Sequence, residues 1–88
     1  MNDDAVPRFG KGVKFRRDAN GSAMLLVPET ALELNASAAA ALELVDGARS
    51  FRAIVDAITD RFEVNGEVAR EEVGDLFERL TERGFIRE

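Results

Sequence analysis

The sequence predicts an α+β fold: a three-stranded antiparallel β-meander followed by three α-helices. Three observations carry that reading. Apolar residues alternate with polar ones up to about residue 34, the period of half-buried strands. From residue 35 onward they recur at helical spacing. Between the runs stand residues suited to turns and caps: Asn20-Gly21, Pro28, Asn35, Gly47, Ser50 and Gly84.

Residues 1–7 are polar, end in Pro7 and are expected to be a disordered N-terminal tail, leaving residues 8–88 as one domain. In the first strand Val13 and Phe15 alternate with Lys14 and Arg16. Asp18 to Gly21 form a turn, and "SAMLLV" (Ser22 to Val27) is the returning strand. Pro28 interrupts it because proline cannot donate to a ladder. In "TALEL", Leu32 and Leu34 share one face and Ala31 and Glu33 the other; no later segment reads as a fourth strand. Three strands cannot close a barrel, so the helices must cover one face of the sheet.

Asn35 is an N-cap, and "ASAAAALELVD" is a strong helix former with small side chains, stopped at Gly47. Ser50 caps a second helix, with Phe51, Ile54, Val55, Ile58 and Phe62 on one stripe. After the break at "EVNG", a third helix runs from about Glu67 to Arg83, with Val73, Leu76, Phe77 and Leu80 as its apolar stripe. Gly84 stops it, and Phe85-Ile86 can fold back onto its last turn.

Composition narrows the function. The chain has no cysteine and no histidine, so thiolate metal sites, disulfides and the commonest general base are all missing. The acidic pairs Glu71-Glu72 and Asp56/Asp60 lie on polar helix faces with Arg61, Arg70 and Arg79 nearby, and read as solvated surface. Ser22, Ser37 and Ser50 have structural explanations and no base to activate them. The expectation is a protein that is not an enzyme and carries no cofactor or metal. No apolar run approaches the roughly 20 residues that span a bilayer, and the N-terminus is acidic. That predicts a soluble, cytoplasmic protein with no membrane partner.

The inventory is winged-helix-like, which raises DNA binding as a rival. Twelve Lys and Arg against 17 Asp and Glu give a net charge of −5, and "EVAREEVGDLFERLTERG", in the place of a recognition helix, is acid-rich. DNA would repel it, so nucleic acid is not an expected partner. One local exception is "RFGKGVKFRR", where Arg8, Lys11, Lys14, Arg16 and Arg17 occur with no acid. A basic strand on an acidic domain is ordinarily a solvated edge, but it can attract an acidic partner segment.

What remains is recognition through backbone and apolar surface. The outer strands of a meander each keep one unpaired border, and the third lacks an internal proline or lysine to block further pairing. An extended peptide can add to such a border while a neighbouring groove reads its side chains. The long third helix could wall that groove, although core is the more ordinary role for most of its apolar residues. The same border can pair with a second copy, giving a strand-exchanged homodimer.

The segment "PETALELNASAAAALELVDGARSFRAIVDAI" resembles the PqqD family. It has the Pro28 to Asn35 strand-to-helix switch, the Leu42 to Gly47 helix stop and Ile54-Val55 in the second helix. "VPRFGKGVKFRRD" and "LFERLTERGFI" extend the likeness over about residues 6–86. The resemblance implies a non-enzymatic peptide chaperone of pyrroloquinoline quinone (PQQ) biosynthesis. Such a protein binds the precursor peptide PqqA and presents it to the radical S-adenosylmethionine (SAM) enzyme PqqE. It also implies likeness to recognition elements of other pathways that modify ribosomally made peptides (RiPPs), and one of those is the alternative reading. The family's site lies between the third strand and third helix. Here that points to Ala31, Leu32, Glu33 and Leu34 for pairing, with Val73, Leu76, Phe77 and Leu80 along the helix.

Overall fold

The computed structural model describes residues 1–88, in the order β1 (Arg8–Phe9), β2 (Lys14–Arg17), β3 (Ala23–Val27), β4 (Thr30–Leu34), α1 (Ala36–Glu43), α2 (Phe51–Phe62), α3 (Gly66–Glu82) and β5 (Ile86–Arg87). The meander expected from the sequence is β2-β3-β4, antiparallel throughout. Its register sets Phe15 opposite Leu25 and Leu25 opposite Leu32. Ala23, Leu25 and Val27 therefore face the helices and are buried, while Met24 and Leu26 lie half-buried on the outer face.

Each helix starts on the residue whose side chain meets its free amides. Asn35 accepts from Ala38 N–H at 2.8 Å, Ser50 from Ala53 N–H at 3.2 Å, and Asn65 from Glu67 N–H at 2.8 Å. Helix α1 ends at Glu43, four residues short of Gly47, so the stop expected at that glycine is displaced. Its last turn tightens through Leu44 N–H to Ala41 O and Val45 N–H to Leu42 O, which turns Val45 into the core. The Asp46 carboxylate then accepts from the Arg49 and Ala48 amides, and these bonds hold it below the usual carboxylate range. Helix α3 ends in a Schellman turn at Gly84 (φ 78°), with Gly84 N–H on Thr81 O and Phe85 N–H on Leu80 O.

The core joins the inner sheet face to α1, α2 and α3 through Leu25, Leu42, Phe51, Ile54, Phe77 and Ile86. Phe51 and Phe77 meet edge to face with ring centroids 6.1 Å apart. No helix is long and apolar enough to cross a membrane.

Two features went unread in the sequence. Strands β1 and β5 form a second, two-residue ladder, pairing Arg8 with Arg87 and Phe9 with Ile86. Residues 1–7, expected to be a disordered tail, lie against the helices instead. Pro7 is buried, and the Ala5 and Asp3 carbonyls accept from the first two amides of α2, Phe51 N–H and Arg52 N–H. The Asp3 carboxylate accepts from Arg70 on α3 and from Arg52 on α2, and the Arg70 guanidinium is the main cause holding it below its ordinary 3.8.

Because the folded pKa of Asp3 is depressed, this contact stabilises the fold above pH 3.8 and is lost as pH falls through the folded value. Acid titration followed by circular dichroism should therefore show a steeper loss of stability below that point for the wild type than for Asp3→Asn. Two glycine substitutions should act oppositely in thermal melts. A Cβ on Gly10 would drive into the Gly84 carbonyl oxygen, so Gly10→Ala should destabilise by about 1–3 kcal/mol. Gly74, inside α3, would bring a Cβ only to ordinary contact with Phe51, and Gly74→Ala should stabilise by about 0.5–1 kcal/mol.

Candidate functional site

Strand β4 pairs with β3 along one side only. The two-residue turn at Pro28-Glu29 closes on the pair Val27–Thr30, and bonded and non-bonded pairs alternate from there. Thr30, Leu32 and Leu34 thus direct their main-chain groups toward β3. Ala31 and Glu33 direct theirs outward, and no strand of this chain meets them. Side chains divide the same way: Leu32 and Leu34 pack partly against the core, while Ala31 and Glu33 are exposed. No strand covers this border, and its outward donors belong to Ala31 and Glu33; Leu32 and Leu34, also expected to pair with a peptide, direct theirs to β3 instead.

At Asn35 the chain leaves the sheet and enters α1, and there a cleft of 490 Å³ opens between α1, α2 and α3. Ala38 and Ala41 form one wall, Ile58 and Phe62 another, and Val73 and Leu76 the third. The alanines of α1 leave this space because a methyl group cannot fill it. Glu72, Asp75 and Arg79 supply polar groups at the lining, and Arg79 Nε donates to the Asp75 carbonyl at 3.4 Å. A second depression of 500 Å³ lies where the ends of β2, β3 and β4 meet α1 and α2. Glu33, Leu34, Asn35 and Phe62 all border it.

The eight residues singled out from sequence separate into two groups. Ala31, Leu32, Glu33 and Leu34 form the free border, and Val73 and Leu76 reach the cleft. Phe77 (0 % exposed) and Leu80 (7 %) are core and do not line the cleft, whereas Val73 is core as well (5 %) but lines it. Of the four, only Leu76 is half-buried. Phe62, the last residue of the apolar stripe expected on the second helix, is 38 % exposed and borders both depressions. Val64, which follows α2, and Val68, in the first turn of α3, are 40 % and 48 % exposed. The available signal was their place at and beyond the end of the α2 stripe, past the helix that buries it. Glu63, left-handed at φ 51°, ends α2 between Phe62 and Val64.

A three-stranded meander backed by three helices, with the outer border of β4 bare and an apolar cleft beginning at Asn35, defines a small α+β domain built around a strand edge. The family model described as "Coenzyme PQQ synthesis protein D (PqqD)" matches residues 22–86, and the chain belongs to the PqqD family. It is 39 % identical over 87 residues to a protein of Azotobacter vinelandii named "PqqA binding protein", covering 98 % of this chain and 91 % of that one. A protein of the same name from Pseudomonas aeruginosa strain UCBPP-PA14 is 45 % identical over 60 residues, 67 % of this chain and 65 % of the relative. The fold matches the solution NMR structure of the PqqD truncation of Methylobacterium extorquens PqqCD at a TM-score of 0.83 and 24 % identity. That match covers 100 % of this chain and 95 % of the other, and the Methylobacterium protein is described there as a functional, stand-alone RiPP recognition element.

Core and cleft positions on α3 should respond differently to substitution. Phe77→Ala should cost about 3–5 kcal/mol in chemical denaturation. Leu76→Ala, at a half-buried cleft position, should cost no more than about 1–2 kcal/mol and leave the native amide spectrum largely in place. Equal losses would show that Leu76 belongs to the core.

Proposed function

We propose that this protein is a non-catalytic chaperone for a ribosomally made precursor peptide of the PqqA type. It acts in the cytoplasm as a recognition domain formed by residues 8–88 with residues 1–7 packed against it. The peptide adds as a strand along β4 and is presented to the radical SAM enzyme PqqE for quinone cofactor synthesis. The observation that carries this reading is the bare β4 border ending at an apolar cleft. The names of the relatives support the choice of peptide.

The physical steps are simple. Ala31 and Glu33 offer two N–H donors and two carbonyl acceptors. Each bond made with a peptide is worth a net ~0.5–1.5 kcal/mol, because water gave up equivalent bonds. These bonds hold any extended chain, so they supply affinity without sequence preference. Preference comes from side chains opposite Leu32 and Leu34, which point to the helical side, and from an apolar group seated among Ala38, Phe62, Val73 and Leu76. Holding the precursor beside the enzyme raises its effective concentration, commonly into the mM range for short tethers.

An NMR titration with synthetic PqqA should move the amides of Ala31 to Leu34 and of Glu72 to Arg79. Ala31→Pro or Glu33→Pro removes an outward donor but leaves the β3–β4 ladder intact, and should weaken the peptide about two- to tenfold in calorimetry. Leu32→Pro would break the internal ladder and serves as the unfolding control. Shifts confined to other surfaces, or unchanged affinity in both folded proline variants, would sink strand addition at β4. No response to PqqA, with binding of another modified peptide's leader at the same residues, would move the protein to a different RiPP pathway.

A further inference from the structure

The sheet has a second open border, and its chemistry differs from that of β4. Strand β2 pairs only with β3, and no other strand of the chain lies on its far side. Register places Lys14 beside Leu26 and Arg16 beside Met24 on the outer face, with Ala31 and Glu33 beyond them. The outer face thus runs from cations at β2, through half-exposed Met24 and Leu26, to Glu33 at β4. Arg17 is engaged by Glu43 at 3.3 Å, but Arg8, Lys11, Lys14 and Arg16 have no ion-pair partner in the chain. In the neighbouring ladder Arg8 stands directly opposite Arg87, both exposed, an arrangement that is unfavourable across strands. Glu88 follows immediately, and Glu82 lies near the end of α3; neither pairs with these cations.

We propose that the β2 border, with the adjoining Met24–Leu26 strip, docks an acidic segment of a partner protein, separately from the peptide site on β4. Charge complementarity picks the partner's chemistry. Lys14 and Arg16, without ion-pair partners on a chain of net charge −5, put positive charge along the β2 margin of the outer face, which favours an anionic approach there. Nucleic acid is the weaker match, because the remaining surface is acidic and the strip between the cations and Glu33 is apolar rather than phosphate-binding. A protein interface, by contrast, ordinarily combines an apolar centre with a charged rim. Lysine on an edge strand also discourages pairing between copies. That role does not account for Arg8 facing Arg87, in a ladder whose two strands are already paired.

The test uses the full chain and three probes: a short capped peptide alternating Glu and Val, its Lys-Val counterpart, and a short DNA duplex. The Glu-Val peptide should shift the amides of Lys14 to Arg17 and of Met24 to Leu26. Binding should weaken about tenfold or more when salt rises from about 0.05 to 0.5 M. Lys14→Glu with Arg16→Glu should abolish it, and Lys14→Ala with Arg16→Ala should weaken it at least several-fold. Both pairs are exposed, and the native spectrum of the rest of the domain reports that each variant folds. Binding of a PqqA peptide at β4 should be unchanged in these variants, so failure here leaves the β4 reading standing. Four outcomes overturn the proposal: no response to the acidic peptide, an equal response to Lys-Val, shifts confined to β4, or tighter binding of the duplex. Aggregation of the Ala variant with no acidic-peptide binding by the parent protein would leave the cations as guards of an edge, and also overturns it.

Discussion

A strand can bond along two sides, and β4 uses one. Every other part of the molecule is arranged around that asymmetry. Strand β3 is satisfied on both sides, which allows Leu25 to be completely buried. At Asn35 the chain caps a helix and leaves the sheet, so it supplies no further strand to β4. The alanines of α1 bring that helix down onto β3, β4, α2 and α3, where a bulkier face would hold the layers apart. The bare border therefore follows from a cap placed immediately after the strand.

Much of this was legible in the sequence because it depends on short-range rules. Asn35 and Ser50 are capping types in capping positions, and both side chains accept the expected amide. Pro28 closes the hairpin at which the middle strand was expected to end. The displaced stop of α1 shows where such rules weaken. Gly47 is left-handed as its type allows (φ 77°), but burial of Val45 ended the helix first. A tertiary contact outweighed a local preference.

The illegible parts share a different cause. Strands β1 and β5 are two residues each, too short to show any period, and they pair residues from opposite ends of the chain. The Asp3 link to Arg70 and Arg52 likewise spans most of the sequence. Nothing local marks Asp3 as different from Asp4. Within α3, helical spacing identified the apolar stripe but not its margins. Val73 and Leu76 line the cleft, whereas Phe77, packed on Phe51 of α2, and Leu80 do not. Phe62 fell on the other side of the same ambiguity, since a stripe that continues past its covering helix becomes surface.

The division of labour within the site follows from which groups carry information. Main-chain bonds at Ala31 and Glu33 are the same for every sequence, so an edge on its own would accept any extended segment, including another copy of itself. Discrimination has to come from a place where shape and polarity matter, and the border ends at one. If a peptide side chain enters the cleft as proposed, the methyl groups of Ala38 and Ala41 and the ring of Phe62 border the space it would occupy. An apolar residue one methylene too long or too short there is worth only about 1–3 kcal/mol. A flexible precursor must also lose conformational entropy on pairing, so the net affinity is what is left after large, opposing free energies cancel. On the proposed reading, selection rests on the coincidence of a bare edge and a cavity of one size, because neither contribution is large alone.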